Sequence, residues 1–156
     1  MPGTSIKISN AKLLANLSKE IAKASNPGPA LKLIGMHLER STLQTFEKEG
    51  AREGSPKWKD LAPSTIKSRR QGPNPQRSPQ ILSDNGYLKR GITHETTRKT
   101  VKWGPSSGEP YGIFHQKYGP NQKRPAPDIP RRAYLNIFPS DVRKIREILR
   151  AYFMGL

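Results

Sequence analysis

Between Gly50 and Ile81 the chain carries Gly50, Gly54, Pro56, Pro63, Gly72, Pro73, Pro75 and Pro79 among many basic residues. Proline removes a backbone donor and fixes φ, and glycine loses the most freedom on ordering, so regular structure in this stretch must be brief. Trp58 and Leu61 are its only strong apolar anchors. APSTIKSRR can carry one helical turn starting near Ser64. QGPNPQRSPQ has no apolar group to bury, which predicts a mobile basic loop over residues 66–80. With 15 prolines and 13 glycines in 156 residues, a sizeable part of the chain must be loop or arm.

Regular patterns lie on either side. Leu13, Leu14, Leu17 and Ile21 recur on one helical face with Asn10 in position to cap, predicting an amphipathic helix over 10–24 that SNPGP at 25–29 ends. From Ala30 a second helix runs through Leu31, Ile34, Leu38 and Phe46, with Glu39, Arg40 and Gln44 between them, until the Gly50–Gly54 region stops it. The chain closes on a third helix, with Pro139 outside it, Ser140 as cap and Asp141 at its positive end. Ile145, Ile148, Leu149, Tyr152 and Phe153 share one face, and Gly155 follows.

ILSDNGYLKRGIT places Ile81, Leu82, Tyr87, Leu88 and Ile92 around an Asp84-Asn85-Gly86 turn signal, and TTRKTVKWG returns with Val101 and Trp103 alternating. Two or more antiparallel strands are expected there. YGIFHQKYG, residues 111–119, suits another buried strand or a helical turn, and PNQKRPAPDIP is a loop. The order of elements predicts an α+β fold: a small antiparallel sheet packed with N-terminal and C-terminal amphipathic helices, joined by long Pro/Gly-rich basic loops. The length fits a single domain, with a helix or arm over 1–29.

Lys and Arg number 28 against 12 Asp and Glu, a formal charge of +16, which favours an anionic partner, either nucleic acid or acidic protein. Lys67, Arg69, Arg70, Arg77, Lys89 and Arg90 could neutralise phosphates. No helix-turn-helix, zinc finger or RNA-binding signature accompanies them, so only sequence-independent nucleic-acid contact is expected. The chain has no cysteine, which excludes disulfides and thiolate metal sites. Lys12, Asn16 and Lys19 interrupt the N-terminal apolar residues, which argues for a soluble, non-secreted protein.

Chemistry finds few reagents. His37, His94 and His115 fall in separate segments with no metal-ligand spacing, and the carboxylates are scattered. No Gly-x-Ser-x-Gly elbow, phosphate-binding loop or dinucleotide fingerprint occurs. A nuclease using His94 or His115 would need carboxylates that the sequence places poorly. No catalytic, metal or cofactor site is expected, and His115 reads as a packed histidine beside Phe114 and Tyr118. Trp58, Trp103, Tyr134 and Leu135 read as core residues in the first instance, and as interface anchors otherwise.

Taken in order, IGMHLERSTLQTFEKEG, PKWKDLAPSTIKSRR, ILSDNGYLKRGI, VKWG, YGIFHQKYG, DIPRRAYLNI and a terminal helix resemble the phage virion morphogenesis family over roughly residues 30–154. That family includes tail completion proteins of Mu-like and P2-like contractile-tailed bacteriophages. The tryptophan followed by a short polar segment looks like Trp58 to Thr65, with Leu61 inside it. The "isoleucine-leucine, small-glycine, leucine" element matches Ile81, Leu82, Gly86 and Leu88, and VKWG supplies Trp103. The "tyrosine-alanine-x-x-histidine-x-x-glycine" element looks like Tyr111, Gly112, His115 and Gly119, with glycine in place of the usual alanine and the last glycine displaced by one residue. The "isoleucine-proline-x-arginine-x-x-leucine" element is similar to Ile129, Pro130, Arg132 and Leu135, and Tyr134 lies within it.

The resemblance implies a structural, non-enzymatic tail completion or neck factor at the head–tail junction of a tailed phage or prophage. It would assemble with itself as a ring, a hexamer being the size to look for. Its partners would be tail tube or sheath and head-neck proteins, with nonspecific contact to packaged DNA as a further use of its charge. It would reside in the bacterial host cytoplasm during assembly and then in the virion neck or tail. YGIFHQKYG and IPRRAYL would form a packed structural corner, with Arg131 or Arg132 bonding carboxylates or backbone carbonyls. The alternative from composition alone is a basic, sequence-nonspecific nucleic-acid-binding module.

Overall fold

Pro27 separates the first two helices: it has no N–H to continue the ladder of the first, and its carbonyl accepts the Leu31 N–H at 2.9 Å to begin the second. The computed structural model describes residues 11–71, 78–106, 112–117 and 130–155. Helix α1 spans Ala11–Ser25 and α2 spans Gly28–Glu47, close to the two helices read from the apolar spacing. Asn10, the expected cap of α1, lies outside the described residues.

Helix α2 is the central element. Ala30, Ile34, Leu38 and Phe46 are buried on it, and the buried Thr42 and Thr45 hydroxyls donate to the carbonyls of Leu38 and Ser41 one turn back. The strands β1 (Ile92–Thr96) and β2 (Val101–Pro105) form an antiparallel hairpin in which Thr96 pairs with Val101 and Ile92 with Pro105. The Thr97 N–H donates to the Thr100 carbonyl at 2.9 Å, and the Thr97 hydroxyl accepts the Thr100 N–H at 3.0 Å, closing the turn.

The hairpin lies on one face of α2, at positions 35, 39 and 42. Gly35 leaves room for the His94 ring, which a β-carbon there would strike. The Glu39 carboxylate meets His94 Nδ1 at 2.6 Å, and Trp103 Nε1 donates to Thr42 Oγ1 at 3.2 Å. Residues i, i+4 and i+7 share a helical face, so one stripe of α2 sets the position of the whole hairpin.

Further along come α3 (Pro63–Gln71), the single turn α4 (Tyr87–Arg90), α5 (Gly112–Lys117) and α6 (Pro139–Met154). Among the described residues the sheet has two strands, and the architecture is α+β, as the order of patterns implied. Helix α6 packs on α2 and α1, and Tyr152 Oη donates to the Asn26 carbonyl at 2.7 Å where α1 gives way to α2.

Three local expectations are corrected. The Asp84-Asn85-Gly86 signal does not turn a hairpin: Leu82 (φ 59°) and Gly86 (φ 72°) both take left-handed backbone, and Gly86 leads into α4. Residues 81–91 therefore form turns and a helical turn where strand was expected, and the hairpin begins at Ile92. The APSTIKSRR stretch forms a nine-residue helix, so residues 66–71 of the expected basic loop are helical, while 72–77 lie outside the described residues. Pro139 is the first residue of α6 and Phe138 its cap position, because Asp141 Oδ2 accepts the Phe138 N–H at 2.8 Å from inside the first turn. The apolar face of α6 is only partly covered: Ile145, Ile148, Leu149 and Tyr152 are half-buried, and Phe153 is exposed.

Candidate functional site

Glu49 (φ 47°) and Gly50 (φ 87°) follow α2 in left-handed conformation and reverse the chain, so that the Glu49 carbonyl accepts the Trp58 N–H at 2.7 Å. A β-carbon on Gly50 would stand 2.5 Å from the Trp58 ring, so glycine is required here by space as well as by φ. The Glu49 carboxylate accepts the Ile81 N–H at 3.0 Å and pairs with Lys57 at 3.0 Å. The Ile81 hydrogen bond is the main reason its carboxyl titrates below the usual range.

Trp58 is thereby seated edge-on against Phe46, with ring centroids 5.8 Å apart, and Phe46 lies 5.4 Å from Tyr134. Ile81, Leu88 and Ile92 complete this buried cluster, with Leu43, Leu61, Leu82 and Leu135 packed around it. Trp58 also donates from Nε1 to the Ala133 carbonyl at 3.1 Å.

The 130–135 segment has no regular structure of its own, and side chains supply its partners. Gln116 on α5 accepts the N–H groups of both Tyr134 and Leu135 at 2.9 Å and donates to the Leu135 carbonyl at 2.8 Å. One side-chain amide thus replaces a strand edge. The Arg132 N–H donates to the His115 carbonyl at 2.9 Å. Its buried guanidinium donates to the Lys59 carbonyl at 3.1 and 2.9 Å and to the Asp60 carbonyl at 3.2 Å. Of the two expected arginines, Arg132 is the one fixed in this way. Exposed Arg131 donates from Nε to the Gln116 carbonyl at 3.2 Å.

A cleft of about 330 Å³ opens at this corner, lined by Leu61, Arg69, Leu82, Asp84, Asn85, Gly86, Tyr87, Leu88, His115 and Arg132. Burial, and secondarily the nearby charge of Arg132, holds His115 below its usual pKa, so the neutral imidazole is favoured. Its Nδ1 is buried with no hydrogen-bond partner among the described residues. Burial and the charge of Arg69 likewise lower the pKa of Arg132.

The structure brings together Trp58, Leu61, Ile81, Leu82, Gly86, Leu88, His115, Arg132, Tyr134 and Leu135 around this core and cleft. Trp103 stands apart, half-buried on the hairpin against α2. Pro130 begins the segment that carries Arg132, and Tyr111, Gly119 and Ile129 lie outside the described residues. The five described members of the six basic residues do not form one free patch. Arg69 is held by the Ser78 and Gln80 carbonyls at 2.8 and 3.0 Å and by Asp84 at 3.3 Å. Lys89 pairs with Glu47 at 3.6 Å, and Arg90 lies 5.1 Å over the Tyr87 ring. Lys67 and Arg70 are exposed on α3, and Arg77 is outside the described residues.

Sequence reasoning missed Gln116, Glu49 and both histidine–carboxylate pairs. His37 Nε2 meets the buried Asp141 carboxylate at 2.9 Å, linking α2 to α6, and His94 meets Glu39, linking α2 to β1. No local signal joins residues so far apart in the chain. Among the described residues no group of three or more His, Cys, Asp or Glu is arranged to hold a metal ion, and no helix is long and apolar enough to cross a membrane.

At this corner backbone carbonyls and packed aromatic rings hold Trp58 and Arg132 in place. A family model for the phage virion morphogenesis family matches residues 8–154. The chain belongs to the phage virion morphogenesis family, and its role is accordingly that of a phage structural or assembly protein. No curated protein and no solved structure gives a significant match to it.

Proposed function

We propose that this protein is a tail completion or neck factor that acts at the head–tail junction of a tailed phage as a ring oligomer. The observation that carries the reading is the family match over nearly the whole chain. Two features of the surface support it. Phe153, Met154 and Ile21 are exposed large apolar side chains on the paired helices α1 and α6, and Leu33 and Met36 are exposed on α2, as suits faces that neighbouring subunits cover. The net charge of +16 suits contact with packaged DNA or with acidic neighbouring virion proteins.

Deleting the gene from its phage or prophage and examining lysates by electron microscopy tests the role. Heads and tails that accumulate unjoined, and that join when the protein is supplied in trans, are the expected result; normally joined particles without it would overturn the reading. Light scattering of the purified protein tests the ring, with a discrete oligomer expected. A monomer that binds duplex DNA with steep salt dependence, in a phage whose particles join without it, would favour the basic nucleic-acid-binding module.

A further inference from the structure

Among the described residues that line the cleft at the corner, cations outnumber carboxylates. Arg69 and Arg132 both line it, near enough for the charge of Arg69 to disfavour that of Arg132. The Arg132 guanidinium donates to the carbonyls of Lys59 and Asp60, neutral acceptors that leave its charge in place. Arg69 faces Asp84 at 3.3 Å, and the Asp60 carboxylate, outside the lining, also acts on Arg132, so among the described residues of the lining itself two guanidiniums meet one carboxylate. The remaining wall is largely apolar, made by Leu61, Leu82, Leu88 and the exposed ring of Tyr87. Small ligand sites combine apolar walls and a few convergent polar groups in this way, and about 330 Å³ is at the lower end of their usual size.

We propose that this cleft docks an acidic segment of a neighbouring virion protein. A glutamate or aspartate carboxylate sits between Arg69 and Arg132, and the residues beside it pack on Leu61, Leu82 and Leu88. Planar guanidinium groups match a carboxylate in geometry and charge. The cations are recessed, Arg132 being only 6% exposed and the Arg69 side chain 12%, so a duplex phosphate backbone cannot approach them as it approaches surface lysines. A chain with 12 acidic residues against 28 basic ones is itself a poor source of the carboxylate, which points to a different protein as the occupant. The identity of that occupant as a virion component rests on the assembly role proposed above.

The test is an NMR titration of the nitrogen-labelled full chain with acetyl-Leu-Glu-Leu-amide and, separately, acetyl-Leu-Gln-Leu-amide. The glutamate peptide is expected to shift the amide resonances of Gly86, Leu88 and His115 and to bind at least about tenfold more tightly than its neutral counterpart, since a charge-assisted hydrogen bond is lost with the carboxylate. Arg69→Gln is expected to weaken the glutamate peptide by a similar factor, whereas Arg70→Gln, exposed on the same helix, leaves binding unchanged. Equal binding of the two peptides by the wild-type protein would overturn the proposal, and that comparison holds even if Arg69→Gln fails to fold. Shifts scattered over exposed lysines and arginines, or a DNA duplex that moves the three cleft resonances while the peptide does not, would overturn it too. The titration reads the cleft alone, so peptide binding by a protein that proves dispensable for head–tail joining would reject the assembly role and leave the cleft assignment standing.

Discussion

The phenol oxygen of Tyr134 stands 2.5 Å from where a β-carbon on Gly112 would be placed, and Leu88 Cδ1 stands 2.8 Å from the same point. In the family pattern this chain resembles, alanine is usual at that position, so the glycine and the large tyrosine opposite it are matched in size. Gly112→Ala is expected to cost about 1–3 kcal/mol by overpacking. Tyr134→Phe in that background recovers part of the loss, because the closest atom is removed. A double-mutant cycle on urea midpoints checks this, and strictly additive effects would show that the two residues are not coupled.

Arg132 holds two carbonyls with a planar fork that a lysine ammonium cannot reproduce. Arg132→Lys is expected to destabilise by about 1.5–3 kcal/mol, the range for hydrogen bonds to a charged group. Arg131→Lys, at an exposed position, changes stability by less than about 0.5 kcal/mol. Thermal melts of both variants at one pH compare them directly.

His115 titrates below its ordinary value of 6.5 in the folded protein, chiefly through burial and then through the charge of Arg132. Below that ordinary value the unfolded chain binds the proton that the folded chain resists, so the contribution of His115 to stability falls as pH drops through about 6.5 and levels off below the folded pKa. His115→Gln removes this dependence. Melting temperatures of wild type and variant are expected to converge as pH is lowered from 7.5 towards 5, and a constant difference between them across that range would refute the assignment.

Asp141 performs two tasks with two oxygens, capping α6 at the Phe138 N–H and pairing with His37. Asp141→Asn keeps an acceptor for the cap and loses the charge facing the histidine, whereas Asp141→Ala loses both. The alanine variant is expected to be less stable than the asparagine variant by about 1 kcal/mol, the usual worth of a helix cap. Chemical denaturation of the two variants measures the difference, and equal midpoints would mean that the cap bond contributes nothing.

The amino-acid sequence by itself determined the helices α1, α2 and α6, because apolar residues spaced by a helical turn define a face whatever lies opposite it. It determined the return of Val101 and Trp103 as a strand, and it carried enough ordered motifs to imply the family. The tertiary structure alone decided the path after Ile81, where left-handed Leu82 and Gly86 direct the chain into α4 and defeat the hairpin reading of Asp84-Asn85-Gly86. It also decided the candidate site. Gln116 serves the backbone of Tyr134 and Leu135, Trp58 reaches Ala133, and His37 finds Asp141 across 104 positions of chain. Such bonds have no period and no local composition, since each forms only where packing of the apolar faces has brought two distant segments together and left a buried polar group in need of a partner.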